Sequence, residues 1–142
     1  MLVREMHVSY KTTRRTVPKK LMNAREAADW IRPHIEAEVV EVMVVIVVDA
    51  KHRPLCYRVV GRGTLNQTQV HPRDVFMTAI QANGCAVILA HNHPSGEIEM
   101  SGDDMLCARR IADAGKILGI EMLDFLVIGE DSFSSMRDMG RI

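Results

Sequence analysis

Two kinds of hydrophobic pattern run along the chain and predict different elements. Continuous apolar runs at 42–48 and 85–90 are typical of strands buried on both faces of a sheet. A further run at 120–128 and shorter segments at 55–60 and 133–136 complete the predicted strands. Only a short polar turn separates 42–48 from 55–60, so we expect those two strands to be antiparallel.

Apolar residues at helical spacing predict helices, and each group has its own start and stop signals. Asn23 is a candidate N-cap, with Glu26 three residues on in a capping-box arrangement, and Pro33 is expected to end this first helix. Pro72 suits the first turn of a second helix, which an Asn-Gly pair at 83–84 closes.

A third helix is predicted to begin after Ser101 as its N-cap and to run to about Leu118, with Gly119 closing it. The predicted order is helix, two strands, helix, strand, helix and strand. That order is typical of an α/β layered domain with a central mixed β-sheet flanked by helices.

Charge is balanced over the whole chain but not along it. The 142 residues carry 18 basic and 18 acidic side chains, which offers no overall electrostatic case for binding nucleic acid. Residues 11–20 nevertheless hold five basic residues and no acid. We therefore predict a flexible basic arm at 1–21 and a single domain at 22–142, with the arm as the one local feature that favours nucleic acid.

Cysteine usage and hydropathy favour a cytoplasmic protein without membrane contact. The three cysteines include no CxxC pair, which argues against a disulfide framework and for a reducing compartment. No apolar signal region follows the N-terminus. The longest apolar run, 42–48, is far shorter than the roughly 20 residues of a membrane helix.

The segment 91–104, HNHPSGEIEMSGDD, carries the candidate chemistry. On an extended backbone His91 and His93 point to the same face, and Asp104 is the third residue of the helix that Ser101 caps. Two histidines that simply pack together would explain one part of this pattern. A carboxylate stabilised by the helix dipole at the N-terminus would explain the other part. Two imidazoles and one carboxylate also leave a zinc ion one open position, which is the catalytic arrangement.

These residues resemble a known signature. Residues 91–104 resemble the JAMM (MPN+) metalloprotease motif, which is an upstream Glu, HxHP, six residues and Ser-x-x-Asp. The chain resembles, over roughly 22–142, the RadC family of bacterial JAB-domain proteins. The matching stretches are VVDAKHRP (47–54), GRGTLNQTQVHPRD (61–74), AVILAHNHPSG (86–96) and LGIEMLDFLVIG (118–129).

The resemblance implies a JAB/MPN-like, cytidine-deaminase-like fold and a set of site residues. It implies zinc bound by His91, His93 and Asp104, with Ser101 stabilising the developing oxyanion. The chain departs from the family in the loop 97–100, Glu-Ile-Glu-Met, where relatives carry an acid-Pro pair and a further proline. It departs again at Phe125, where they tend to have histidine.

The upstream Glu of the motif acts on the zinc-bound water in related enzymes. Glu41 is the best match, because it stands eight residues before Asp49 at the start of a buried strand, with Glu36 and Glu38 as competitors. A carboxylate there can accept a proton and return it, so Glu41 and Ser101 are the predicted catalytic residues.

The resulting hypothesis is a zinc-dependent hydrolase of the JAMM type that cleaves a peptide or isopeptide bond in a peptide or protein substrate. One alternative is a DNA-repair-associated or DNA-binding protein that acts on nucleic acid. Another is a binding module that holds a metal without turnover.

Overall fold

The structure is a computed structural model that describes residues 1–12, 19–63 and 69–142. Five strands form one sheet: β1 (Val42–Val48), β2 (Pro54–Arg62), β3 (Ala86–Asn92), β4 (Glu121–Ile128) and β5 (Phe133–Ser135). Three helices pack against it: α1 (Ala24–Ile35), α2 (Pro72–Gln81) and α3 (Gly102–Leu118). The predicted α/β layered domain with a mixed sheet flanked by helices is confirmed.

The sheet has the order β2-β1-β3-β4-β5. The strand β1 is antiparallel to β2, to which a short turn joins it, and also to β3, which follows β2 and α2 in the chain. By contrast β3 and β4 are parallel, because the whole of α3 crosses over between them. This crossover brings the N-terminus of α3 close to the end of β3.

Two hydrophobic layers explain why β1 and β3 are apolar at every position. Alternate β1 side chains such as Val44 and Ile46 pack with α1 on one face of the sheet. Their neighbours Met43 and Val45 pack with α2 and α3 on the other face. A central strand covered by helices on both sides has no solvent face, so its sequence does not alternate.

The first helix confirms its predicted cap but not its predicted end. The Asn23 side chain accepts the Glu26 N–H at 2.9 Å. The Glu26 carboxylate accepts from the N–H of Met22 at 2.7 Å, one residue earlier than in a standard capping box. The prediction that Pro33 ends the helix is wrong, since α1 continues to Ile35. Burial of Ile35 stabilises the last turn by about 1.5–3 kcal/mol, which offsets much of the proline's cost.

The end of β3 also differs from the sequence expectation. The strand β3 runs to Asn92 rather than ending at residue 90, so His91 lies within the sheet. Residues 1–12 are exposed and form neither helix nor strand. Most of the basic segment, 13–18, falls outside the described residues. Within the described ranges, no helix is long and apolar enough to span a membrane.

A close approach at Gly115 offers a test of the packing of α3. A β-carbon built there would lie 2.3 Å from the backbone oxygen of Ile120 and 3.1 Å from the Phe76 ring. Gly115→Ala is therefore expected to lower the free energy of unfolding by about 1–3 kcal/mol, even though alanine favours helix. Chemical denaturation measures this change.

The matched control is Gly102→Ala at the other end of the same helix, where an added β-carbon meets nothing within 4 Å. This variant is expected to unfold at the same denaturant concentration as the wild type or a higher one. Equal stability of the two variants would contradict the packing of Gly115 against Ile120.

Candidate metal centre

The candidate metal ligands meet where β3 ends and α3 begins. His91 is the next-to-last residue of β3, and His93 follows the strand directly. Asp104 lies in the first turn of α3, and the loop 94–100 joins the two elements. The oxygen and nitrogen atoms that the three residues can offer to a metal all lie within 4.8 Å of one another.

Strand alternation aims the two imidazoles at one point, as the sequence predicts. The ring centroids of His91 and His93 are 4.7 Å apart. The Asn92 side chain between them points to the other face. There its Oδ1 accepts the Val42 N–H at 2.7 Å and its Nδ2 donates to the Val40 carbonyl at 3.0 Å. Asn92 thus fastens the segment before β1 to the end of β3.

A capping box orients the Asp104 carboxylate. Ser101 Oγ accepts the Asp104 N–H at 3.1 Å, and Asp104 Oδ2 accepts the Ser101 N–H at 2.8 Å. Because Oδ2 is held in this way, Oδ1 faces His91, at 3.0 Å from its Nε2. The feature that stabilises the start of α3 therefore also presents one carboxylate oxygen to the site.

His91 shows that the site suits a metal ion. It is 1% exposed. Its Nε2 lies 3.0 Å from Asp104 Oδ1, but neither ring nitrogen makes a hydrogen bond to the described residues. An unsatisfied buried polar group costs about 1–3 kcal/mol. A metal ion coordinated by His91, His93 and Asp104 would satisfy it, so the residues present fit such an ion.

The imidazole of His93 is oriented from its far side. Its Nδ1 lies 2.9 Å from the Glu97 carbonyl oxygen, to which a ring N–H can donate. That bond leaves Nε2 facing Asp104 Oδ2 at 3.4 Å, on the side where a metal would bind. Histidine ligands in metal sites usually have such a partner, which selects the tautomer.

The electrostatics couple the three residues. Contact with the Asp104 carboxylate raises the pKa of His93, against the lowering effect of partial burial, and the negative charge of Glu41 acts in the same direction as Asp104. Burial alone would raise the pKa of Asp104, but His91 and His93 outweigh it and hold that pKa well below its usual range. Asp104 is therefore a carboxylate, the form that binds a cation.

The register of the β1–β3 ladder, extended past its last pair, sets Glu41 opposite His93. The last pair of the ladder is Met43 with His91. Glu41 and His93 lie two residues beyond that pair and directly outside the two strands. The effect of Glu41 on the pKa of His93 is consistent with this position.

The two competing glutamates are placed differently. The Glu38 carboxylate forms an ion pair with Arg62 at 2.6 Å. Glu36 is exposed at the C-cap of α1, the helix that covers the opposite face of the sheet from α3. Of the three candidates, Glu41 is the one that the strand register directs towards His93.

Three further residues contribute to the site without having been predicted as site residues. Asn92 was recognisable, because strand alternation turns its side chain away from the two histidines. Phe125 packs against the His91 ring, with centroids 5.5 Å apart. The Glu97 carbonyl had no sequence signal, because a backbone acceptor is positioned by the loop conformation.

Comparison with known proteins places these features in one family. A family model described as a RadC-like JAB domain matches residues 21–141. A UPF0758 protein of Symbiobacterium thermophilum is 42% identical over 120 residues, which are 84% of this chain and 51% of that protein. UPF0758 proteins of two Staphylococcus aureus strains, bovine RF122 and NCTC 8325, are each 35% identical over 121 residues, 85% of this chain and 53% and 56% of theirs. The chain spans about half the length of these curated relatives.

Proposed function

The chain belongs to the RadC-like JAB domain family, and from that premise we propose that it is a zinc-dependent hydrolase that cleaves a peptide or isopeptide bond. The observation that carries the proposal is the convergence of His91, His93 and Asp104, with buried ring nitrogens of His91 that have no hydrogen-bond partner among the described residues. The register that turns Glu41 towards His93 supports catalysis rather than storage of a metal.

The donor set favours zinc. Two imidazoles and a carboxylate supply three protein ligands, and in zinc enzymes such a set leaves one position for water or substrate. A zinc ion bound here would act as a Lewis acid and lower the pKa of a water ligand to about 7. His91, His93 and Asp104 hold the ion, and the Glu97 carbonyl keeps the His93 ring in the orientation that this requires.

Glu41 is the proposed general base and acid. It is half-buried and comes directly before β1, and its charge acts on the pKa of His93. Its carboxylate accepts the proton that the attacking water loses and returns it to the leaving nitrogen.

Ser101 is the proposed oxyanion donor. Its Oγ accepts the Asp104 N–H, and a hydroxyl that accepts one bond still has its own proton to donate. The side chain is exposed at the N-terminus of α3, where the helix dipole also favours negative charge. A substrate carbonyl oxygen beside Ser101 would therefore be stabilised as it gains charge.

The loop 94–100 is the proposed determinant of substrate choice. It joins His93 to the helix that carries Asp104, so it borders the candidate metal ligands. A cleft of about 510 Å³ lies beside this loop, but His93 is the only one of the proposed ligands and catalytic residues among its lining residues. The departure of the loop from the family pattern therefore bears on which peptide or protein is cleaved.

The test combines metal analysis with a substrate screen of the full chain. We expect about one zinc per chain by elemental analysis, and cleavage of fluorogenic peptides or of lysine-linked isopeptides. A chelator is expected to abolish the cleavage and added zinc to restore it. Zinc binding with cleavage of DNA alone would favour the nucleic-acid alternative. Zinc binding with no turnover of peptide, isopeptide or DNA would favour the non-catalytic one.

A further inference from the structure

A second, larger cleft lies at the other end of the sheet from the metal ligands. Its volume is about 650 Å³, and it is formed by the second half of α3, the start of β4 and the C-terminal segment. On α3 the lining begins at Arg109, which is five residues from Asp104, or about 7.5 Å along the helix axis. None of His91, His93 and Asp104 lines this cleft.

Positively charged side chains dominate this second cleft. Four cations line it, namely Arg109, Lys116, Arg137 and Arg141. The two acids among the lining residues are Asp113 and Glu121. The lining side chains therefore have a net charge of +2, although the whole chain is neutral.

The arginines of this cleft are not neutralised by acids. Asp113 lies 3.6 Å from Lys116. Within the described part of the chain, no carboxylate forms an ion pair with Arg109, Arg137 or Arg141. The Arg137 guanidinium is anchored by a 3.4 Å bond to the Leu123 carbonyl, which keeps it at the cleft. Guanidinium groups without a carboxylate partner can bind a phosphate with two parallel hydrogen bonds.

The rest of the lining suits a small molecule rather than a nucleic-acid strand. Met122 is buried and apolar and belongs to the layer that packs against α3, and Ala112 and Gly115 of α3 also line the cleft. The cleft volume is in the range of small-molecule sites. Single-stranded nucleic acids are usually bound along grooves with aromatic side chains that stack on bases, and no Trp, Tyr or Phe is among the residues that line this cleft.

We propose that this cleft binds a small organic phosphate of about nucleotide size. Arg109, Arg137 and Arg141 contact the phosphate, and the wall formed by Met122, Ala112 and Gly115 packs against the uncharged part of the molecule. The site is separate from the metal ligands and does not depend on hydrolysis by them.

The test uses adenosine diphosphate and inorganic pyrophosphate as probes and the full chain, with binding measured by calorimetry. The variant Arg109→Gln/Arg141→Gln is expected to weaken binding of adenosine diphosphate at least tenfold. The matched control Arg4→Gln/Arg58→Gln removes two exposed arginines that do not line the cleft and is expected to bind as the wild type does. Unchanged melting temperatures would show that both double variants are folded.

Amide chemical shifts locate the bound probe. Adenosine diphosphate is expected to shift the signals of Gly115 and Gly119, which line the cleft, and to leave those of Gly96 and Gly102 near the metal ligands unchanged. Three results would overturn the proposal: no binding of either probe to the wild type, equal weakening in the two double variants, or shifts confined to Gly96 and Gly102. Binding of oligonucleotides without binding of adenosine diphosphate would also overturn it and indicate a nucleic-acid surface.

Discussion

Asp104→Ala is expected to abolish zinc binding and zinc-dependent hydrolysis together. The substitution removes one of the three proposed ligands and the negative charge that faces both histidines at 3.0 and 3.4 Å. Two neutral imidazoles alone do not make the three-ligand set of a zinc enzyme. Elemental analysis after dialysis should therefore fall from about one zinc per chain to nearly none, and His91→Ala should do the same.

Asp103→Ala is the matched control for this prediction. Asp103 is exposed and lies in the same first turn of α3, but it projects about 100° around the helix from Asp104. Both substitutions remove a carboxylate from the positive end of the helix dipole, so they differ in the loss of the ligand and of the Asp104 bond to the Ser101 N–H. Asp104→Asn, whose amide oxygen can still accept the Ser101 N–H, should also lose zinc while the helix cap persists. Full zinc content in Asp104→Asn and Asp104→Ala would refute the site.

Glu41→Gln is expected to lower turnover by roughly 10²–10⁴-fold while zinc content stays at about one per chain. Glutamine has nearly the same shape as glutamate but cannot accept a proton from water. His91, His93 and Asp104 are unchanged, so the metal should remain. The measurement is kcat on the cleaved peptide or isopeptide, together with elemental analysis of the same sample.

Glu38→Gln separates this role from a general effect of losing acidic groups. Glu38 pairs with Arg62 at 2.6 Å, and both side chains are partly exposed, so the loss should cost at most about 1 kcal/mol of stability. Its kcat is expected to match that of the wild type. Loss of turnover in Glu38→Gln with normal turnover in Glu41→Gln would transfer the role to Glu38. Normal turnover in both variants would exclude a general base among them.

Elements with strong local signals were predicted closely. The apolar run at 42–48 is β1 itself, because a strand covered on both faces must be apolar at every position. Ser101 and Gly119 bound α3 as predicted, because a serine N-cap and a left-handed glycine satisfy the helix ends with groups only a few residues away.

Where local and long-range preferences conflict, the prediction failed. Proline at position 33 disfavours helix locally, but the turn that follows it buries Ile35 against the sheet. Strand β3 was expected to stop before His91. It continues because His91 pairs with Met43 on one side and with Val127 on the other. Neither partner is near His91 in the sequence.

The sequence by itself determined the ligand types, the shared face of His91 and His93, and the position of Asp104 in a capped first turn. Each follows from the period of a strand or helix or from bonds within a few residues. Only the tertiary structure decided that Glu41 lies across from His93, that the ring nitrogens of His91 have no hydrogen-bond partner among the described residues, and that arginines far apart in sequence line one cleft. These features depend on strand register and on packing between distant elements. The energies of both are sums over many residues and cannot be read from a short stretch of the sequence.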